Sequence, residues 1–333
     1  MATHLLSQLA HVELLTPKLD DSARFFTDVL GLEESGRDGR SVYLRCWGER
    51  FHHSVQLTEG AQPGLGHVGW RSDGTDGLEE AVSRLEAVGA GEGWFEGSVG
   101  HGPAYRYRGP GGALQEVFWE VERWQAPADR ESTFPNRPQR LGSRGCGLRQ
   151  IDHVTVSGTT DPLAAAHWYR DTLGYRFMEY TMLGDEGVCF FAMLTTNEHA
   201  HDLGLLRDTS AIPGRVHHVA FWLDEPAHLY RAADVLLETG AQLEYGPSRH
   251  GMGEEVFCYT REPGGMRIEL MSGGRRNYEP DWETIRWTPA QGSIDFYRNS
   301  SPPESILEIF PPAAGDSTEG FVDTNPWEIS TVS

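Results

Sequence analysis

Four stretches of this chain begin alike, each with a short apolar run opening on a His-Val pair: HVELL from His11, HVGW from His67, HVTV from His153 and HVAFW from His218. A polar turn follows, and then a segment whose apolar residues recur three or four positions apart. In DDSARFFTDVLG these are Phe25, Phe26, Val29 and Leu30, and Gly31 ends the run; PLAAAHWYRDTLG repeats that ending with Leu173 and Gly174. LEEAVSRLEAVG and HLYRAADVLLETG close on Gly89 and Gly240. Helical periodicity ended by a residue that tolerates positive φ predicts four amphipathic helices. After the helices come runs rich in aromatic and β-branched residues between Gly-rich turns: SVYLRCW, SVQLTE, AYRYRGPGGALQEVFWEV, GVCFFAML, DLGLL and EEVFCYTREPGGMRIELM. They predict strands in hairpins. Each quarter reads as one strand, one helix and about three further strands, an α+β pattern repeated four times.

The quarters pair into halves. PGGALQEV near the end of the first half corresponds to PGGMRIEL near the end of the second. The stretch RWQAPADRESTFPNRPQRLGSRGCG between them is rich in Pro, Arg and Gly without periodicity and reads as a linker. The expected organisation is an N-terminal domain over 1–124, a linker over 125–148, a C-terminal domain over 149–275, and a lid and tail over 276–333. Beyond about residue 275 the repeat ends, and disorder is expected after Pro312.

Strand alternation places the candidate chemistry. Successive side chains of a strand face opposite ways. In the strand carrying His153, Val154 and Val156 suit the helix-covered face, which turns His153 and Thr155 the other way. Val219 and Phe221 likewise leave His218, Ala220 and Trp222 on the open face, favouring His218 over His217. Ile268 and Leu270 leave Glu269 there. Two imidazoles and one carboxylate from three strands thus face one concave surface, a donor set that suits a divalent first-row metal and leaves coordination positions open.

Composition narrows the partners. Lys+Arg 28 against Asp+Glu 49 gives a formal net charge of -21, which disfavours nucleic acid and anionic membrane surfaces. No apolar run approaches the ~20 residues of a membrane span. The four cysteines, Cys46, Cys146, Cys189 and Cys258, lie far apart and read as buried thiols of a reducing compartment. The first residues lack the basic segment, apolar stretch and cleavage site of an export signal, so a cytoplasmic location is expected.

IDHVTV around His153, HAHDLGLL around His201, RVHHVAFW around His218, GPSRHG around His250 and CYTREPGGMRIELMSGG from Cys258 through Glu269 occur in that order. In them the chain resembles the extradiol catechol dioxygenases of the vicinal-oxygen-chelate superfamily, most closely the homoprotocatechuate and catechol 2,3-dioxygenase branch, over about residues 8 to 300. The resemblance implies four βαβββ modules paired into two domains, and a single working metal, Fe(II) or Mn(II), in the C-terminal funnel. It implies His153, His218 and Glu269 as metal ligands and His201 as acid-base catalyst. It further implies His250 and Tyr259 as hydrogen-bonding partners of substrate and intermediate; Thr155 is a further candidate substrate contact. The reaction implied is opening of a catechol by O2 to a muconic semialdehyde, by a homotetramer.

Two features depart from that pattern. Relatives that cleave homoprotocatechuate hold its side chain with paired arginines from a C-terminal lid, whereas RWTPAQGSIDFYRNS has only the isolated Arg286 and Arg298. This leans toward an uncharged or differently substituted catechol. The first half keeps the triad positions as His11, His67 and Glu116, a vestigial or second metal site, with His53 and His101 near the places of His201 and His250. Arg106 stands where Tyr259 does. The competing readings are a glyoxalase-like isomerase, a 4-hydroxyphenylpyruvate-type dioxygenase, or a non-catalytic ligand-sequestering protein.

Overall fold

The computed structural model describes residues 4–142, 144–184, 187–210, 212–297 and 302–311. The first quarter consists of β1 (Leu6–Thr16), α1 (Leu19–Arg24, continued as a π-helix over Phe25–Leu30), β2 (Glu33–Asp38), β3 (Ser41–Arg45) and β4 (Val55–Glu59). The second has β5 (Gly64–Ser72), α2 (Thr75–Ala87), β6 (Gly91–Phe95), β7 (Ala104–Arg108) and β8 (Leu114–Phe118). The third has β9 (Gln150–Thr159), α3 (Pro162–Leu173), β10 (Arg176–Leu183), β11 (Val188–Thr195) and β12 (Leu203–Arg207). The fourth has β13 (Val216–Trp222), α4 (Pro226–Glu238), β14 (Leu243–Arg249), β15 (Glu255–Arg261) and β16 (Arg267–Gly273). The fourfold strand–helix–three-strand pattern is therefore present. Its helix stops behave as their glycines require: Gly31 and Gly174 sit at φ 88 and φ 76, where a side chain is strained.

Two sheets result. The first runs β2-β3-β4-β1-β5-β8-β7-β6 and the second β14-β15-β16-β13-β9-β12-β11-β10. In each, the opening strands of two quarters pair antiparallel at the centre, β1 with β5 and β9 with β13, and each opening strand pairs parallel with the last strand of its own quarter. That arrangement brings three of the chemistry-bearing strands of each half side by side. A short strand unannounced by the pattern, β17 (Ile285–Trp287), adds parallel to β10 at the far edge.

The alternation places the core as expected. Val154, Val156, Val219, Phe221, Ile268 and Leu270 are buried in one continuous apolar cluster that also holds residues of all four helices. Both halves feed that cluster: Trp70 meets Tyr175 edge-on at 5.4 Å and Phe26 meets Phe221 at 6.2 Å. The helix-covered faces of the two sheets thus share a core, and the opposite faces are left for polar chemistry. Strict alternation fails at several register shifts, one of them beside His218. Val216 lies in the core cluster although two positions before His218, because the register of β13 against β9 shifts between Val216 and His218. This bulge sends both His217 and His218 to the open side.

Candidate metal centre

His153, His218 and Glu269 converge. His153 Nε2 lies 3.0 Å from His218 Nε2 and 3.2 Å from Glu269 Oε2, and His218 Nε2 lies 3.0 Å from that same oxygen. All three side chains are buried. The ring tautomers are set from behind. His153 Nδ1–H donates to Asp152 Oδ1 at 2.9 Å, leaving its Nε2 lone pair facing inward. His217 Nε2–H donates to the Ile306 carbonyl, so its Nδ1 accepts from His218 Nδ1–H at 2.6 Å, and His218 Nε2 also faces inward as a lone pair. The short N···N approach is then not a hydrogen bond but two acceptors facing one point.

The electrostatics agree. Burial alone would raise the Glu269 carboxyl, yet the facing imidazoles of His153 and His218 hold it well below the usual range. Burial also opposes a charge on His153, but the Asp152 and Glu269 carboxylates outweigh it and lift that group to about 10, so a cation bound here takes the place of a proton on its Nε2. His218, where burial dominates, is pushed down to about 4. Neither Glu269 oxygen has a hydrogen-bond partner despite complete burial. Orphaned buried carboxylate oxygens are costly, and a divalent cation held by His153, His218 and Glu269 would supply what is missing. The donor set fits Fe(II) or Mn(II).

Around this centre lie the other candidates. The His201 ring lies tilted by 35° against His153 with centroids 3.9 Å apart, and its Nδ1 is 3.3 Å from Glu255 Oε1. Asp202, its sequence neighbour, turns away to accept from Thr196, and burial raises its carboxyl to about 7. The carboxylate beside His201 is therefore Glu255, which the sequence did not single out. His250 Nδ1–H donates to the Ile294 carbonyl, and its Nε2 lies 3.3 Å from the Tyr259 hydroxyl and 3.5 Å from Glu269 Oε1. Burial, reinforced by Glu269, keeps the Tyr259 hydroxyl protonated well above its ordinary range. Thr155 Oγ1 is buried without a partner beside them, close against Gly204, where a Cβ would come within 2.3 Å of it.

These residues line one open funnel. Its other walls are mostly apolar, from Phe190, Phe191, Met193, Leu206, Met252 and Leu307, and no lysine or arginine lines it among the described residues. Arg286 is exposed on β17 and is not among the lining residues; Arg298 and everything after Pro311 lie outside the described residues. Asp152, Glu255 and His217 are the neighbours that sequence reasoning missed. Asp152 bears directly on the centre, because it fixes the His153 ring. Asp152→Ala is expected to weaken Mn(II) binding by about 10–100-fold, as read by calorimetric titration; unchanged affinity would show that His153 needs no such support.

The first half assembles its own set. His11 Nε2 lies 2.9 Å from His67 Nε2, and the two are 3.3 and 3.4 Å from Glu116 Oε1. The strand registers Arg106↔Glu116 and Tyr259↔Glu269 place the arginine where the second half has its tyrosine.

Comparison with known proteins agrees with this geometry. The family model described as Glyoxalase/Bleomycin resistance protein/Dioxygenase superfamily matches residues 8–117 and again 150–270. A metapyrocatechase of Geobacillus stearothermophilus is 37% identical over 283 residues, covering 85% of this chain and 86% of that protein. A manganese-dependent 2,3-dihydroxybiphenyl 1,2-dioxygenase of Geobacillus genomosp. 3 is 37% identical over 286 residues, covering 85% of this chain and 90% of its own. Among solved structures, a variant of homoprotocatechuate 2,3-dioxygenase from B. fuscum superposes with a TM-score of 0.78 at 27% identity, over 91% of this chain and 81% of that one. No described helix is long and apolar enough to cross a membrane. With a repeated fold, a His-His-Glu centre and relatives of this kind, the chain belongs to the Glyoxalase/Bleomycin resistance protein/Dioxygenase superfamily, in its branch of metal-dependent extradiol ring-cleaving dioxygenases.

Proposed function

We propose that the second half, residues 149–275, is the catalytic domain, that segment 276–333 contributes its lid, and that the funnel takes an uncharged catechol bearing an apolar ring substituent. The observation that carries this reading is the pair of buried, unpartnered Glu269 oxygens at the floor of an apolar funnel. His153, His218 and Glu269 are the ligands. When bound, Fe(II) or Mn(II) supplies Lewis acidity toward the catechol oxygens and brings substrate and O2 together.

The chain's own residues do the rest. His201, packed against His153 and backed by Glu255, is placed to move a proton at the oxygen-binding side. Tyr259 and His250, which face each other and Glu269, are placed to hydrogen-bond the substrate oxygens and the charge that develops on them. Thr155 adds an unpaired hydroxyl to the same wall. The 3₁₀ turn Glu304–Leu307 brings Ile306 and Leu307 over the funnel, and the Ile306 carbonyl is tied to His217. Apolar covering excludes water and disfavours a charged side chain, since a carboxylate brought there finds no cationic partner among the described lining residues.

The four buried, unpaired cysteines support a reducing cytoplasm as the location, and the family resemblance supports a homotetramer. The test of the function is a substrate panel. Enzyme loaded with Fe(II) under nitrogen should turn catechol to a yellow product when oxygen is admitted, consuming O2 mole for mole. Alkyl- or aryl-substituted catechols should exceed carboxylated ones in kcat/KM by about 100-fold, the scale of an unpaired charge in an apolar site. Preference for homoprotocatechuate would refute the substrate assignment, and absence of O2 uptake would refute the reaction.

A further inference from the structure

The cluster in the first sheet resembles the second centre in more than its three ligand positions. His67 Nδ1–H donates to Glu13 Oε2 at 2.8 Å, and Glu13 is itself held through Oε1 by Thr58 and Gln56. His101 Nδ1–H donates to the Gly102 carbonyl at 2.9 Å. Both rings therefore present Nε2 as a lone pair. The Nε2 atoms of His11, His67 and His101 stand 3.3, 3.4 and 3.2 Å from a single atom, Glu116 Oε1. That oxygen is fully buried and has no hydrogen-bond partner. Its twin, Oε2, faces Arg106 Nε at 3.3 Å.

The surroundings are closed rather than funnelled. The His101 ring stacks on Phe118 at 4.4 Å, Phe95 meets His101 edge-on at 5.9 Å, and the Arg106 guanidinium lies 4.0 Å over Phe95. Side-chain exposure is 4% for His11, 7% for His67, 2% for His101 and 0% for Glu116. Gly69 makes room for the set, since a Cβ there would sit 2.3 Å from His11 Cε1.

We infer that His11, His67 and Glu116, whose donor atoms all lie within 4.8 Å of one another, form a second divalent-cation site, structural rather than catalytic. The aromatic cover of Phe118 and Phe95 leaves no funnel over these three donors, whereas catalytic sites keep a position open to substrate. Arg106, in the place of the tyrosine that faces substrate in the other half, instead neutralises the far oxygen of the ligand carboxylate. The cation stabilises the first half by joining β1, β5 and β8 at one point. The inference is independent of what the funnel cleaves.

Metal counting on the intact enzyme tests it. After dialysis with Zn(II) and Fe(II), the wild type should carry about two ions per chain, and His153→Ala and Glu116→Gln about one each. In the His153→Ala protein, EDTA should lower Tm and added Zn(II) should restore it, because that variant keeps only the first site. Two ions retained in His153→Ala would count against the funnel ligands and leave this site standing. One ion per chain in the wild type, absent from His153→Ala, overturns the inference without recourse to Glu116→Gln, so a failure of that variant to fold does not matter. Two ions persisting in folded Glu116→Gln overturns it as well.

Discussion

His153→Ala is expected to remove the ion from the funnel and to lower ring cleavage by at least about 10⁴-fold, the loss that follows when two reactants are no longer oriented on one centre. The reason is local. His153 Nε2 is in contact with both of its fellow donors, and its Nδ1 is the group that Asp152 fixes. Without the imidazole, Glu269 keeps His218, Tyr259 and the more distant His250 near its buried oxygens. Orphaning a buried polar group costs roughly 1–3 kcal/mol, so the variant should melt lower but remain folded. Ion content by mass spectrometry and O2 uptake read the two effects separately. Retention of the funnel ion together with activity would exclude His153 as a ligand.

The second large effect belongs to His201. His201→Phe should leave ion content and KM close to the wild type while turnover falls by about 10²–10⁴-fold, the usual contribution of a positioned proton donor. Phenylalanine preserves the packing on His153 and removes only the ring nitrogens. The substitution discriminates because the site admits a rival ligand set: donor atoms of His153, His201 and Glu255 also lie within 4.8 Å of one another. Glu269 favours the first set, since its unpartnered Oε2 faces both His153 and His218. If His201→Phe loses its ion in step with its activity, His201 is a ligand and the assignment of roles must be redrawn.

Much of this was legible before any coordinates. The four His-Val strand starts and the Gly-terminated helices gave the repeat, because helix periodicity and positive-φ stops are local properties. Alternation gave the open-face positions of His153, His218 and Glu269, because each is flanked by aliphatic residues that the helix side requires. What escaped was whatever depends on a break in regularity or on distant chain segments. The bulge in β13, which turns His217 inward as well, leaves no mark in VHHVAFW. Asp152 reaches the ring of its own neighbour, which alternation alone assigns to the opposite side. Glu255 meets His201 only through the fold, and Asp202, the carboxylate that sequence adjacency offers, faces Thr196. The π-helical end of α1 and the small edge strand β17 also follow from tertiary packing rather than from periodicity.

Anomalous diffraction at the manganese edge from crystals grown with Mn(II) tests the central claim most directly. The account predicts a peak shared by His153 Nε2, His218 Nε2 and a Glu269 oxygen, at the floor of the funnel. A peak among His153, His201 and Glu255 instead, or no peak in the funnel while catechol is still cleaved, would contradict it.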